Sequence, residues 1–308
     1  MRGPLFYAKI LLFGEYGIIK DSKGLSIPYS QYQGALKILE LLTDDQKKSN
    51  QNLIDFYTYL RTLNSDLIQL NLDEFQADIA RGMFFDSSIP QGYGIGSSGA
   101  LVASVYDKYA QDKITVLENL TKDKLLKLKH IFSLMESFFH GKSSGLDPLN
   151  SYLSLPILIN SSNNIEPTGI PHQRDGKAAV FLLDSKVVGK TEPMVQIFMN
   201  KMKRKGFRKM FVEEFASNTN ACIENFLHGD VKSLFSNMKQ LSKIVLENFS
   251  PMIPSSFHKL WKQGIDSNDY YLKLCGSGGG GYILGFAKDY NKAKEHFKDY
   301  NLELVYRF

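Results

Sequence analysis

The sequence predicts an α/β (α+β) chain of two domains, one over residues 1–173 and one over 174–308. Three observations predict this class. Strand-like and helical hydrophobic patterns alternate along the chain, with no internal repeat or low-complexity stretch. Residues 90–101 place four glycines and two serines directly before an amphipathic helix. A polar patch, Asn160-Ser-Ser-Asn-Asn, and a loop with Pro167, Gly169 and Pro171 then separate the first set of elements from a new strand. That connector sets the boundary near 170–177, and 308 residues suffice for two domains with cores of their own.

The elements follow in order. Apolar runs predict strands at 5–20, 25–30, 33–41 and 66–71, and helical spacing predicts helices at 51–63, 73–81, 97–112 and 121–140. Within 97–112, Leu101, Val102, Val105, Tyr106 and Tyr109 share one helical face. Residues 152–159 and 178–183 read as strands. A long helical stretch, 191–248, is broken near Gly206 and at Gly229-Asp230, and a further helix covers 253–264. Strands at 269–275 and 281–287, a helix at 288–298 and a strand at 301–307 complete the pattern.

The stretch Pro90-Gln-Gly-Tyr-Gly-Ile-Gly-Ser-Ser-Gly-Ala-Leu101 carries the most chemistry. Glycines let a backbone turn tightly against a ligand, and a helix start offers unpaired N–H groups and a positive dipole end to an anion. A glycine turn with a serine cap is the plain reading; a phosphate cradle is the functional one. No Gly-Lys-Ser/Thr follows, so the loop is not a Walker A loop. Gly94, Gly96 and Gly99 also fit G-x-G-x-x-G, which keeps a dinucleotide-binding dehydrogenase as an alternative, with 82–86 as its strand and Glu118 as its acid. Against that alternative, Ser87, Ser88 and Pro90 separate strand from loop.

A second glycine cluster, Leu272-Lys-Leu-Cys-Gly-Ser-Gly-Gly-Gly-Gly281, lies between two strand-like runs. A hairpin turn needs only about two residues, so a loop pressed against a ligand explains the run better. A third stretch, Tyr7-Ala-Lys-Ile-Leu-Leu-Phe-Gly-Glu-Tyr-Gly17, sets Lys9 and Glu15 in an apolar strand, where charges are costly unless paired or used. Glu136 sits in the apolar helix Phe132-Ser-Leu-Met-Glu-Ser-Phe-Phe139, so it is at least partly buried and expects a cationic partner. Asp147 precedes Pro148, which biases it toward an extended backbone.

These stretches, in this order, resemble the GHMP kinase superfamily over nearly the whole chain, and within it most closely the mevalonate kinases. Lys9-Ile-Leu-Leu-Phe-Gly-Glu15 resembles that family's Lys-x-Ile-Leu-x-Gly-Glu opening. Residues 90–101 resemble its Pro-x-x-x-Gly-Leu-Gly-Ser-Ser-Ala loop, and 276–281 its Gly-x-Gly-Gly-Gly loop. Glu136-Ser-Phe-Phe-His140-Gly-Lys-Ser-Ser144-Gly-Leu-Asp147 resembles its Glu-x-x-x-His-Gly-x-Pro-Ser-Gly-x-Asp segment, and Lys186-Val-Val-Gly-Lys-Thr191 its lysine-to-threonine element. Two positions depart: Tyr16 stands where the family usually has histidine, and Ser143 where it usually has proline.

The resemblance implies an N-terminal domain like ribosomal protein S5 domain 2, a ferredoxin-like C-terminal domain and a site between them. It implies ATP and Mg2+ as cofactors and mevalonate, converted to 5-phosphomevalonate, as the acceptor. Asp147 is implied as catalytic base, with Lys9 beside it and Thr191 orienting it. Gly92, Gly94, Gly96, Ser97, Ser98 and Gly99 are implied at the nucleotide, and Ser98 and Glu136 at the metal. Glu15, Tyr16, Gly276, Ser277, Gly278 and Gly279 are implied on the substrate side, with Gly280 closing the loop. A phosphomevalonate, homoserine or sugar kinase, or an inactive GHMP-fold binding protein, are the alternatives within the same fold.

Composition fits an enzyme of anionic small molecules. The charge of +5, from 37 basic and 32 acidic residues, is too even for a nucleic-acid footprint. The densest basic cluster, residues 201–209, reads as a solvated helix face. Cys222 and Cys275 form neither a C-x-x-C nor a zinc set, which fits a reducing cytoplasm. No apolar run reaches membrane-spanning length, and the N-terminus reads as a strand rather than a signal peptide. A homodimer is left open.

Overall fold

A computed structural model of the chain describes residues 4–63, 67–115 and 120–308. Among these, two sheets and their helices form a mixed α/β architecture. One sheet has strand order β1-β2-β4-β5, with β3 also on β2, and the other has order β7-β8-β6-β9. The strands are β1 (Phe6–Phe13), β2 (Gly24–Ile38), β3 (Met83–Ser87), β4 (Ile157–Ser161), β5 (Asn164–Pro167), β6 (Ala179–Asp184), β7 (Tyr270–Leu274), β8 (Tyr282–Ala287) and β9 (Leu302–Arg307). One sheet thus draws only on strands before residue 174, and the other only on strands after it. The compact units, by contrast, interleave in sequence: 1–9, 28–90 and 96–155 form one, and 10–27, 91–95 and 156–308 the other.

In the first unit, residues 34–38 of β2 pair antiparallel with β3. Helix α1 (Asp44–Thr62) starts at a capping box in which Thr43 accepts from the Gln46 N–H and the Gln46 side chain accepts from the Thr43 N–H. It turns Leu53, Phe56 and Leu60 inward. Helix α2 (Leu72–Ala80) is capped by Asn71, and α3 (Ser97–Tyr109) buries nearly its whole length. Helix α4 (Lys122–His140), capped by Thr121, and α5 (Leu146–Leu153) complete this unit. A buried carboxylate, Asp78, is satisfied here by Lys108 at 2.6 Å and the Tyr109 hydroxyl at 2.8 Å, which hold its pKa below the usual range against the cost of burial.

The second unit holds β6 in the centre of its sheet, flanked by β8 and β9, both antiparallel to it. The ladders recorded for β6, β7 and β8 are fully buried on all residues but Asp184, as expected for a sheet covered on both faces. Its helices are α6 (Thr191–Met202), α7 (Lys205–Met210), α8 (Ser217–His228), α9 (Val231–Asn248), α10 (His258–Ser267) and α11 (Tyr290–His296). A π-helical stretch, Phe211–Ala216, joins α7 to α8 and packs Phe211 and Phe215 inward.

Three sequence expectations are corrected. Residues 67–71 form no strand; Leu70 makes a single bridge to Ala110. The expected strand over 152–159 begins at Ile157, because α5 occupies the residues before it. Asp147 is not extended: it lies in the first turn of α5, where Pro148 is tolerated because its missing N–H has no intrahelical acceptor. Glu118 lies outside the described residues. No described helix is long and apolar enough to cross a membrane.

Candidate active site

Seven of the sequence-predicted residues lie in the first unit. Lys9, on β1, is 4% exposed, and its ammonium lies 2.9 Å from Asp147 Oδ1. Its stem runs under Gly96, where a Cβ would come 2.9 Å from Lys9 Cγ. Gly96 also caps α3 in the left-handed region, at φ 83°. One turn on, a Cβ at Gly99 would sit 2.7 Å from the Asp147 carbonyl carbon and 2.8 Å from Pro148 N. Glycine at 99 therefore lets α3 approach the start of α5 and brings the loop, the lysine and the carboxylate together. Asp147 itself is partly open, with 37% of its side chain exposed.

Glu136, on α4, is 2% exposed. Its carboxylate accepts from the Ser98 hydroxyl at 3.1 Å through Oε1 and from the Ser143 hydroxyl through Oε2. The expected cationic partner is thus replaced by two hydroxyls. Burial, and then the charge of Asp147, push its pKa up to about 8. Ser98 Oγ also lies 3.1 Å from His140 Nε2, and burial lowers that imidazole's pKa. Ser97 and Ser98 are the first two residues of α3, and the first intrahelical bond runs from Ala100 N–H to Gly96 O. The N–H groups ahead of it point out of the helix end, the geometry that accepts phosphate oxygens.

The second unit carries the other half of the predicted set. Residues 276–281 are not a loose hairpin. A Cβ at Gly281 would meet Tyr93 Cα at 2.5 Å, and one at Gly94 would meet the Cys275 carbonyl oxygen at 2.7 Å. The two glycine stretches, some 180 residues apart in sequence, therefore pack backbone on backbone. Bonds from Tyr282 N–H to Tyr93 O, from Gly189 N–H to Gly92 O and from Gly279 N–H to Met252 O fasten the assembly. Thr191 opens α6 nearby in sequence and is exposed.

Glu15 and Tyr16 are buried in this unit, at 6% and 5%. Tyr16 has φ 59° in a tight turn closed by Gly17 N–H and Glu15 O at 2.6 Å, an unfavourable backbone for a tyrosine. Its ring packs 4.6 Å from Phe198 and 5.8 Å from Phe249, and its hydroxyl donates to Ser277 O at 2.5 Å. Burial, then Glu15, push the phenol pKa upward. Glu15 pairs with Lys273, whose ammonium also donates to Leu274 O at 2.9 Å. Lys273 carries the same signal as Lys9, a charge within an apolar strand, masked in the sequence by the adjoining glycine run. Ser143 stands out in the sequence only as a departure from the resembling family, and its bond to Glu136 has no sequence signal.

No protein-family model matches the chain, and no curated protein matches it in sequence. Solved structures do match. L. major mevalonate kinase in complex with R-mevalonate superposes with TM-score 0.64 and 16% identity, over 97% of this chain and 93% of that one. Streptococcus pneumoniae phosphomevalonate kinase, in complex with phosphomevalonate and AMPPNP, gives 0.61 and 14%, over 98% and 99%. Lactococcus lactis galactokinase complexed with galactose gives 0.62 and 12%, over 98% and 92%. The chain has the GHMP kinase fold.

Within this GHMP fold the donors suit magnesium. Among the described residues no group of three His, Cys, Asp or Glu side chains could hold a metal by itself. Glu136 and Ser98 supply hard oxygens at a helix N-terminus, and magnesium keeps waters and phosphate oxygens alongside one or two carboxylates. The dinucleotide alternative fits less well. The ladders β2–β3, β2–β4, β4–β5, β6–β8, β6–β9 and β7–β8 are all antiparallel, whereas that fold needs a parallel sheet.

Proposed function

We propose that this chain is an ATP- and magnesium-dependent kinase of a small-molecule alcohol, with mevalonate as acceptor and 5-phosphomevalonate as product. The observation that carries the reading is the Lys9–Asp147 pair at 2.9 Å, held against the glycine loop by the absent side chains of Gly96 and Gly99.

Asp147 is the base. Its half-open carboxylate takes the proton of the acceptor hydroxyl as the new oxygen–phosphorus bond forms and the bond from the γ-phosphorus to the β,γ-bridging oxygen breaks. Lys9 holds the Asp147 carboxylate in place and stabilises the charge that develops on the acceptor oxygen. The start of α3, with Ser97 and Ser98, binds the nucleotide phosphates, and Gly92 and Gly94 let the loop ahead of it pack closely on Val188 and Cys275. Glu136 and Ser98 would hold Mg2+, which would neutralise charge on the nucleotide phosphates. Residues 276–279 line the substrate side, with Tyr16 fixing Ser277 and Glu15 fixed by Lys273. Thr191 is assigned to orient Asp147.

The assignment of mevalonate rests on the motif resemblance; the fold itself is shared by kinases of phosphomevalonate and galactose. ADP release from wild-type protein with mevalonate, phosphomevalonate, homoserine and galactose tests it. Turnover with mevalonate supports the reading. Turnover with another of the four, and none with mevalonate, keeps the kinase and overturns the acceptor.

A further inference from the structure

Ser143 occupies a junction that the phosphotransfer chemistry above does not use. Its hydroxyl donates to Glu136 Oε2, while its oxygen accepts the Gly145 N–H at 3.0 Å. Its carbonyl in turn accepts from Ser133 Oγ at 2.6 Å, and Ser137 Oγ donates to Ser133 O at 2.7 Å. A serine hydroxyl has one proton to give. With the Gly145 N–H filling an acceptor position and the backbone tied to α4, that proton is aimed at Glu136. Gly145 is also the residue from which α5 starts, and Asp147 lies in that helix's first turn. The other carboxylate oxygen, Oε1, is the one that Ser98 touches.

We infer that Ser143 is a positioning residue for the metal carboxylate. It engages Oε2, so Glu136 presents Oε1 beside Ser98 to the ion in one fixed orientation. It also links that orientation to the segment that carries Asp147. The inference rests on the reading of Glu136 and Ser98 as metal-facing groups. Proline, which stands here in the resembling family, has no hydroxyl and could not serve in this way.

The test compares Mn2+ binding to the protein–ADP complex, followed by the spin resonance of the free ion, with ADP binding in the absence of metal. Removing a hydrogen bond to a charged group predicts an Mn2+ affinity about tenfold weaker in Ser143→Ala. Metal-free ADP binding should stay unchanged, and Ser143→Thr should restore most of the Mn2+ affinity. A general structural defect would move both affinities together, and circular dichroism checks that each variant is folded. Glu136→Gln separates the two levels of the argument. If Glu136→Gln weakens Mn2+ binding and Ser143→Ala does not, the positioning role is overturned. If Glu136→Gln also binds Mn2+ like the wild type, the metal assignment itself is overturned.

Discussion

Lys9 and Asp147 differ sharply in exposure, the lysine sealed and the carboxylate partly open. That asymmetry suits a base that must reach a substrate while its counter-ion stays fixed. Asp147→Asn should lower kcat by about 10²–10⁴-fold with little change in nucleotide binding. A variant that keeps near-wild-type kcat would remove Asp147 from the base role. Glu136 gives a pH prediction. Its pKa, raised to about 8, lies above its value in an unfolded chain, so the folded protein without metal holds an extra proton. Two consequences follow in sign. The metal-free protein loses stability as pH rises through that value, and Mg2+ binds more tightly as the competing proton leaves. Calorimetric Mg2+ titrations between pH 6 and pH 9 should show affinity rising, and Glu136→Gln should flatten the curve; equal slopes would contradict the account. The sealed Glu15–Lys273 pair makes a stability prediction. Lys273→Met leaves a buried carboxylate without its cation and should cost about 3–5 kcal/mol in urea unfolding. Adding Glu15→Gln should recover part of that loss. A single variant as stable as the wild type would mean that the pair is dispensable.

At the scale of elements, the two glycine stretches are closely packed structures. Gly99 is the clearest test, because the atoms a Cβ would strike belong to the backbone of Asp147 and Pro148 and cannot rotate away. Gly99→Ala should force α3 from α5 and displace the base, with a loss of about 10²-fold in kcat/KM. Unchanged turnover would show that the contact is slack. The same elements show what the sequence made legible. Helix α3 was readable because its apolar residues keep helical spacing, and its observed span, Ser97–Tyr109, falls within the expected one. Helix α5 was not, because Asp-Pro reads locally as a turn; only burial of Leu146, Leu149 and Leu153 against the rest of the unit makes it helical. Strand β2 runs unbroken through Gln31 and Tyr32, where polar side chains made it look like two strands. Of the site, Lys9, Glu15 and Glu136 were legible as charges in apolar surroundings. Ser143 was not, since nothing local marks a serine whose partner lies on a neighbouring helix.

For the whole molecule, the order of motifs along the chain gave the fold, and the match to GHMP-fold kinases over nearly their entire length agrees with it. The acceptor was less legible. The position at which the family usually carries histidine holds a tyrosine whose hydroxyl is engaged by Ser277 O, so side-chain identity there does not report the substrate directly. The transferred phosphoryl group does. Incubation of the wild-type protein with mevalonate, Mg2+ and ATP labelled at its γ-phosphate should move the label into 5-phosphomevalonate, one equivalent per ADP formed. Label that stays in ATP, or appears only as inorganic phosphate, would contradict the central claim.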